Sequence, residues 1–115
     1  MKFKFEYNIE SDVLSIYNYD KSKPSESVQI SDYLVIDISE DNKIIGIEVF
    51  DASEFFGAFK EVDKKFLESL ENVEIEQKEV RNNWFLVVML KSGSQIVYQP
   101  MPPLRKSEYH SPLIA

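Results

Sequence analysis

Leu34-Val35-Ile36-Asp37-Ile38-Ser39-Glu40-Asp41-Asn42-Lys43-Ile44-Ile45-Gly46-Ile47-Glu48-Val49-Phe50 is the stretch that decides the fold. Leu34, Ile36 and Ile38 alternate with Val35 and Asp37, the period-two pattern of a strand covered on one side. Ser39 to Asn42 is a turn, because Asp and Asn tolerate the left-handed backbone that hairpins need. Ile45, Ile47 and Val49 then repeat the alternation, with Ile44, Gly46, Glu48 and Phe50 on the opposite face. The segment therefore predicts a β-hairpin with Ile45, Ile47 and Val49 inward and Glu48 outward. Asp51-Ala52-Ser53-Glu54 follows as an acidic variant of the capping box, so a helix capped by Asp51 is expected to start there.

The same period extends in both directions. Phe3, Phe5 and Tyr7 alternate with Lys4 and Glu6, and Val13 to Tyr17 follows a turn-forming Asn8-Ile9-Glu10-Ser11-Asp12, which predicts a second hairpin. Asp20 to Ser27 is polar, carries Pro24 and reads as a loop; Ser27 to Ile30 is a short strand. After Gly57 the period becomes helical. Phe59, Val62, Phe66 and Leu70, widened by Leu67, make an apolar stripe that predicts one main amphipathic helix over about 58–71. Strands return at 73–80, 84–90 and 96–98, with Arg81-Asn82-Asn83 and Lys91-Ser92-Gly93-Ser94 as turns. The run Trp84 to Leu90 is apolar on both faces, so cover on both sides is expected. Pro100, Pro102 and Pro103 are expected to end ladder pairing. The predicted fold class is α+β: an antiparallel, meander-like sheet of seven to eight strands with that helix packed on one face. Residues 1–99 form a single domain in this reading, and 100–115 a Pro-rich tail.

The chain has 115 residues, a globular apolar content of 43% and a net charge of −7. The acidity is concentrated: residues 40–79 hold 12 acidic and 5 basic side chains, and the remaining eight of each sign cancel. This balance argues against phosphate-backbone binding, which needs clustered Lys and Arg. It is compatible with a partner that has a basic surface. No cysteine is present, which excludes disulfide and thiolate chemistry. The start lacks the roughly 7–15-residue apolar segment of a signal peptide. No run approaches the roughly 20 apolar residues of a membrane span, so a cytoplasmic location without membrane contact is expected.

Three segments resemble the DUF2283 family of small uncharacterised proteins. Residues 7–16 (Tyr-Asn-Ile-Glu-Ser-Asp-Val-Leu-Ser-Ile) resemble its opening pattern, Tyr33 to Ile38 its central apolar strand, and residues 41–53 its "D-G-x-I-V-G-I-E-I-L-x-A-S" ending. Asn8, Ser15 and Asn42 depart from the residues usual in the family. The resemblance covers about residues 5–54 and implies a fold unit rather than an activity. Some relatives lie beside small toxin-like proteins, so an antitoxin-like binding role is what the resemblance suggests.

Candidate chemistry is sparse. Asp37, Ser39, Asp41 and Glu48 fall at positions 1, 3, 5 and 12 of a calcium loop, but Asn42 replaces the turn glycine and strands replace the flanking helices. Asp37, Asp41 and Glu48 are thus weak metal candidates beside a hairpin reading that explains all three. Glu48 with Asp51, or Glu10 with Asp12, could form a catalytic pair only if burial or a like-charge neighbour separated their pKa values. His110, the one histidine, lies in the tail, and no phosphate-cradling glycine run exists among three glycines. Phe3, Tyr7, Tyr17 and Tyr19, beside Lys2, Lys4, Lys21 and Lys23, could stack single-stranded bases, but alternating strand aromatics ordinarily pack as cross-strand pairs. No catalytic residue and no cofactor are assigned. The reading that explains most features is a non-catalytic protein–protein interaction module, self-associating as a homodimer. Trp84, Met101, Leu104, Tyr109 and Leu113 are its candidate contacts. The alternative is a small enzyme or ligand-binding protein with a carboxylate-containing pocket.

Overall fold

The structure is a computed structural model that describes residues 2–18, 26–41, 43–58, 61–101 and 103–105. Its elements are β1 (Lys2–Asn8), β2 (Val13–Tyr17), β3 (Glu26–Gln29), β4 (Leu34–Ile38), β5 (Ile44–Val49), α1 (Ala52–Gly57), α2 (Lys64–Glu68), β6 (Asn72–Val80), β7 (Asn83–Ser92), β8 (Gln95–Pro100) and β9 (Leu104–Arg105). The strands form one antiparallel sheet in the order β3-β4-β5-β2-β1-β6-β7-β8, with β9 on β7. Strands hold 58% of the described residues and helices 12%, and the sheet curls into a half-barrel. The expected α+β arrangement is therefore corrected: among the described residues no main helix packs across the sheet, which curls over a core that it shares with two short helices.

The curl has a local cause. β1 and β6 pair only at Lys2↔Glu74 and Phe3↔Val73, so the sheet is nearly split at that seam. The two parts fold over a shared core. Leu34, Ile36 and Ile47 from one side meet Leu86, Met101 and Leu104 from the other around a small void. Leu14, Ile16, Val49, Val73, Val88 and Leu90 are also buried. Each such side chain contributes about 1.5–3 kcal/mol of transfer free energy.

The expected helix over 58–71 reduces to the five residues of α2. Asp63 breaks the pattern: its backbone is extended, and its side chain accepts from Phe66 N at 2.8 Å. That interaction caps a helix starting at Lys64 and so excludes one running through it. Val62, Phe66 and Leu67 still reach the core, Val62 from non-helical backbone. Phe59 lies outside the described residues. Gly57, the last residue of α1, is glycine for a steric reason, since a Cβ there would stand 2.8 Å from the Val62 carbonyl oxygen.

The hairpin of β4 and β5 forms with one change of phase. Asp37 pairs with Gly46 but Ile38 with Ile44, so Ile45 has no counterpart on β4. This bulge turns Ile44 into the core at 4% exposure and leaves Ile45 half-buried, the reverse of the expected assignment. Ladder pairing also resumes after Pro100. Met101 N donates to Leu86 O at 2.9 Å, and β9 pairs with the start of β7.

Candidate functional site

Asp12 is the buried charged side chain among the described residues, at 8% exposure. It ends the turn between β1 and β2 with φ of 57°, a left-handed conformation that Asp adopts more readily than most residues. Its carboxylate accepts from Tyr7 Oη at 2.6 Å, from Ser53 N at 3.1 Å and from Ser53 Oγ at 2.7 Å. Its carbonyl accepts from Ala52 N at 2.9 Å. The cap of α1 is thus supplied by Asp12 from across the fold. Asp51, expected to cap, stands at φ of 49° and makes no side-chain cap bond.

Burial pushes the Asp12 carboxyl up, but hydrogen bonds from Tyr7 and Ser53, with the charge of Lys64, outweigh it and hold the group below the ordinary carboxylate range. Burial and then the Asp12 carboxylate push the Tyr7 hydroxyl above its ordinary value. The pair is therefore fixed as a protonated phenol on an ionised carboxylate. The hydrogen bonds from Tyr7 and Ser53 tie the β1–β2 turn to the start of α1.

The metal candidates are separated. Asp37 accepts from Ser27 Oγ at 2.6 Å; Asp41 accepts from Ser39 Oγ and lies 3.8 Å from Lys43 Nζ; Glu48 stands exposed between Ser15 and Val35. Among the described residues no group of three His, Asp or Glu side chains is placed to hold a metal ion. Of the carboxylate pairs, Glu10 is exposed in its turn while Asp12 is buried, and Asp51 is exposed. Tyr17 Oη donates to Glu6 and Phe3 is in the core, so these aromatics form no bare platform. Tyr19, Lys21, Lys23 and His110 lie outside the described residues.

Of the contact candidates, Trp84, Met101 and Leu104 are buried in the core, and Tyr109 and Leu113 lie outside the described residues. The apolar surface is carried by their neighbours. β7 alternates: Trp84, Leu86, Val88 and Leu90 point inward, while Phe85, Val87 and Met89 face outward. Ile96 and Tyr98 of β8 continue the outer strip, at 48% and 59% exposure, with Phe85 at 41%. Register sets Tyr98 beside Met89 and Ile96 beside Lys91. The sequence signal was the doubly apolar run Trp84–Leu90; which of its two faces is left open depends on the curl.

A cleft of about 750 Å3 opens where β6 leaves β1. Phe3, Ile44, Ile75 and Phe85 give it apolar walls, and Lys43, Glu76, Lys78 and Glu79 bring charge. Gln77 Nε2 in its lining is buried without a hydrogen-bond partner among the described residues.

Residues 4–53 match the model of DUF2283, a protein family of unknown function. The matched segment ends at Ser53, the residue that Asp12 holds. Two of the three segments that carry the family resemblance, through Tyr7 and Asp12 of one and Ala52-Ser53 of the other, meet in that one cluster. The chain is also similar to a Methanosarcina mazei protein named "Putative hypoxanthine phosphoribosyltransferase", at 34% identity over 79 residues. The similarity covers 68% of this chain and 62% of that relative. No solved structure matches the chain.

Proposed function

We propose that the chain is a non-catalytic protein–protein interaction module of the cytoplasm, whose contact surface is the outer face of β7 and β8. The observation that carries this reading is the strip Phe85, Val87, Met89, Ile96 and Tyr98, apolar side chains gathered on one face of a chain with 29% charged residues. Contiguous exposed apolar surface of this kind marks interaction sites. An antitoxin-like role is one form such a module takes. A photo-crosslinking amino acid at position 98, and at position 48 as a control on the acidic outer face, tests it in the native host. Adducts of discrete mass from 98, absent from 48 and lost with Phe85→Lys, are expected. Equal labelling from both positions, or none, overturns the reading.

A second reading follows from the cleft. Its volume lies in the range of about 300–1,000 Å3 usual for small-molecule sites, and the unpartnered Gln77 amide offers a donor. The name of the Methanosarcina relative makes hypoxanthine the first ligand to try. Thermal stabilisation by hypoxanthine that disappears in Gln77→Leu is the outcome this reading requires. The absence of any shift at millimolar hypoxanthine removes that ligand.

A further inference from the structure

We infer that a second copy of the chain joins this one edge to edge through β8, about a two-fold axis at Val97, which merges the two outer apolar strips into one contact surface. The inference rests on the interaction-module reading and specifies how its surface is assembled.

The pairing of β8 with β7 fixes the direction of its backbone groups. Met101 N donates to Leu86 O, and Gln99, Val97 and Gln95 fall opposite Val88, Leu90 and Ser92. In an antiparallel ladder, residues of this parity turn their N–H and C=O groups toward the neighbouring strand. Ile96, Tyr98 and Pro100 therefore turn theirs away from β7, toward the open edge. Proline has no N–H, so Pro100 sits where no ladder bond is lost. Among the described residues no strand pairs with that edge between Gln95 and Pro100.

The two ends of the sheet differ. β3 is four residues long and carries Glu26, features that blunt an edge. β8 has six residues, Gln-Ile-Val-Tyr-Gln-Pro, and no charge. It thus lacks the lysines and inward charges that keep edge strands apart.

The exposed groups are self-complementary. With the axis at Val97, Ile96 of one copy faces Tyr98 of the other, and each of their N–H and C=O groups finds a partner. An axis at Tyr98 would instead set Ile96 against Pro100 and leave the Ile96 carbonyl without a donor. On the outer face the chosen register packs Tyr98 against Ile96 of the second copy, twice, extending the apolar strip across the seam. The row through Tyr98 runs from Glu74 and Met89 into Ile96, Lys91 and Asn72 of the second copy, so no like charges meet at the seam.

The register makes Val97 face itself in a non-hydrogen-bonded pair, with Cα atoms about 4.5 Å apart, within the span of a disulfide. The chain has no native cysteine, so Val97→Cys introduces a single thiol. Three measurements are made together: light scattering of the unsubstituted chain over a concentration series, the same for Tyr98→Pro, and diamide oxidation of Val97→Cys beside a Glu48→Cys control. A mass of twice 13.4 kDa is expected for the unsubstituted chain. Tyr98→Pro, which removes an edge-facing N–H and the ring that packs on Ile96 of the second copy but no bond to β7, is expected to raise the dissociation constant more than tenfold while the circular dichroism stays unchanged. Val97→Cys is expected to crosslink rapidly and Glu48→Cys not. A monomer of the unsubstituted chain at every concentration overturns the inference. So does a dimer that ignores Tyr98→Pro and leaves Val97→Cys unlinked. If the position-98 crosslinker then still labels a different protein, the interaction-module reading survives without self-pairing; if it labels nothing, both fail.

Discussion

Replacing Asp12 by alanine removes the group that ties the β1–β2 turn to the start of α1. The side chain accepts from the Ser53 amide and hydroxyl and from the Tyr7 hydroxyl. Loss of a helix cap costs about 1–2 kcal/mol. Leaving the part-buried Tyr7 hydroxyl without its charged acceptor costs about 1–2 kcal/mol more. Alanine at a φ of 57° adds about 1 kcal/mol, since left-handed backbone is unfavourable with a Cβ and without a local polar group. The expected loss is about 3–5 kcal/mol, a large share of the roughly 6–17 kcal/mol that a chain of this length has. It corresponds to a fall in melting temperature of about 10–20 °C. Asp12→Asn keeps the left-handed preference and one acceptor oxygen, and is expected to lose about half as much. Urea unfolding followed by circular dichroism measures both. In a double-mutant cycle with Ser53→Ala, the Asp12→Ala effect should shrink by about 1 kcal/mol or more. A loss under about 1 kcal/mol, additive with Ser53→Ala, would refute the reasoning.

The same cluster sets the pH response. Because the Asp12 pKa is lowered in the fold, its stabilisation is present above the unfolded value of about 3.9 and is lost as pH falls through the folded one. The stability gap between the parent and Asp12→Asn should therefore be flat near neutrality and close in acid, as read by melts across pH. The Tyr7 pKa is raised, so its contribution is present below about pH 10 and is lost as pH rises through the folded value; Tyr7→Phe should abolish that alkaline loss. Gly57→Ala drives a Cβ against the Val62 carbonyl and should cost about 1–3 kcal/mol in denaturant titration, although alanine is the better helix former. Trp84 is the one tryptophan and is 0% exposed, so its emission should be blue-shifted and resist iodide until the chain unfolds.

Period-two alternation in the N-terminal half made its strands legible, and the family match covers that half almost residue for residue. Two local rules misled. The stripe from Phe59 to Leu70 has helical spacing, but Asp63 serves better as a cap than as an interior residue, and Val62 reaches the core from outside α2. Asp51 fits a capping pattern, but a buried carboxylate 41 positions from Ser53 occupies the role. The Asp63 cap is local, a bond to Phe66 three residues on that competed with the helical stripe, whereas the Asp12 cap depends on how the sheet brings the β1–β2 turn to α1. The same holds for the candidate surface. Trp84 to Leu90 announced two apolar faces, and only the pairing of β6, β7 and β8 decided that Trp84 went inward and Phe85 outward. The Ile45 reversal came from a single bulge that alternation alone does not reveal.

Residue-resolved amide exchange of β8 at two protein concentrations tests the central claim most directly. Val97 and Gln99 face β7 and should exchange slowly at both. Ile96 and Tyr98 face the open edge, so their amides should be protected at high concentration and exchange quickly on dilution. Rapid exchange of Ile96 and Tyr98 at every concentration would contradict the account, because it would leave the edge of β8 unpaired wherever the protein is folded.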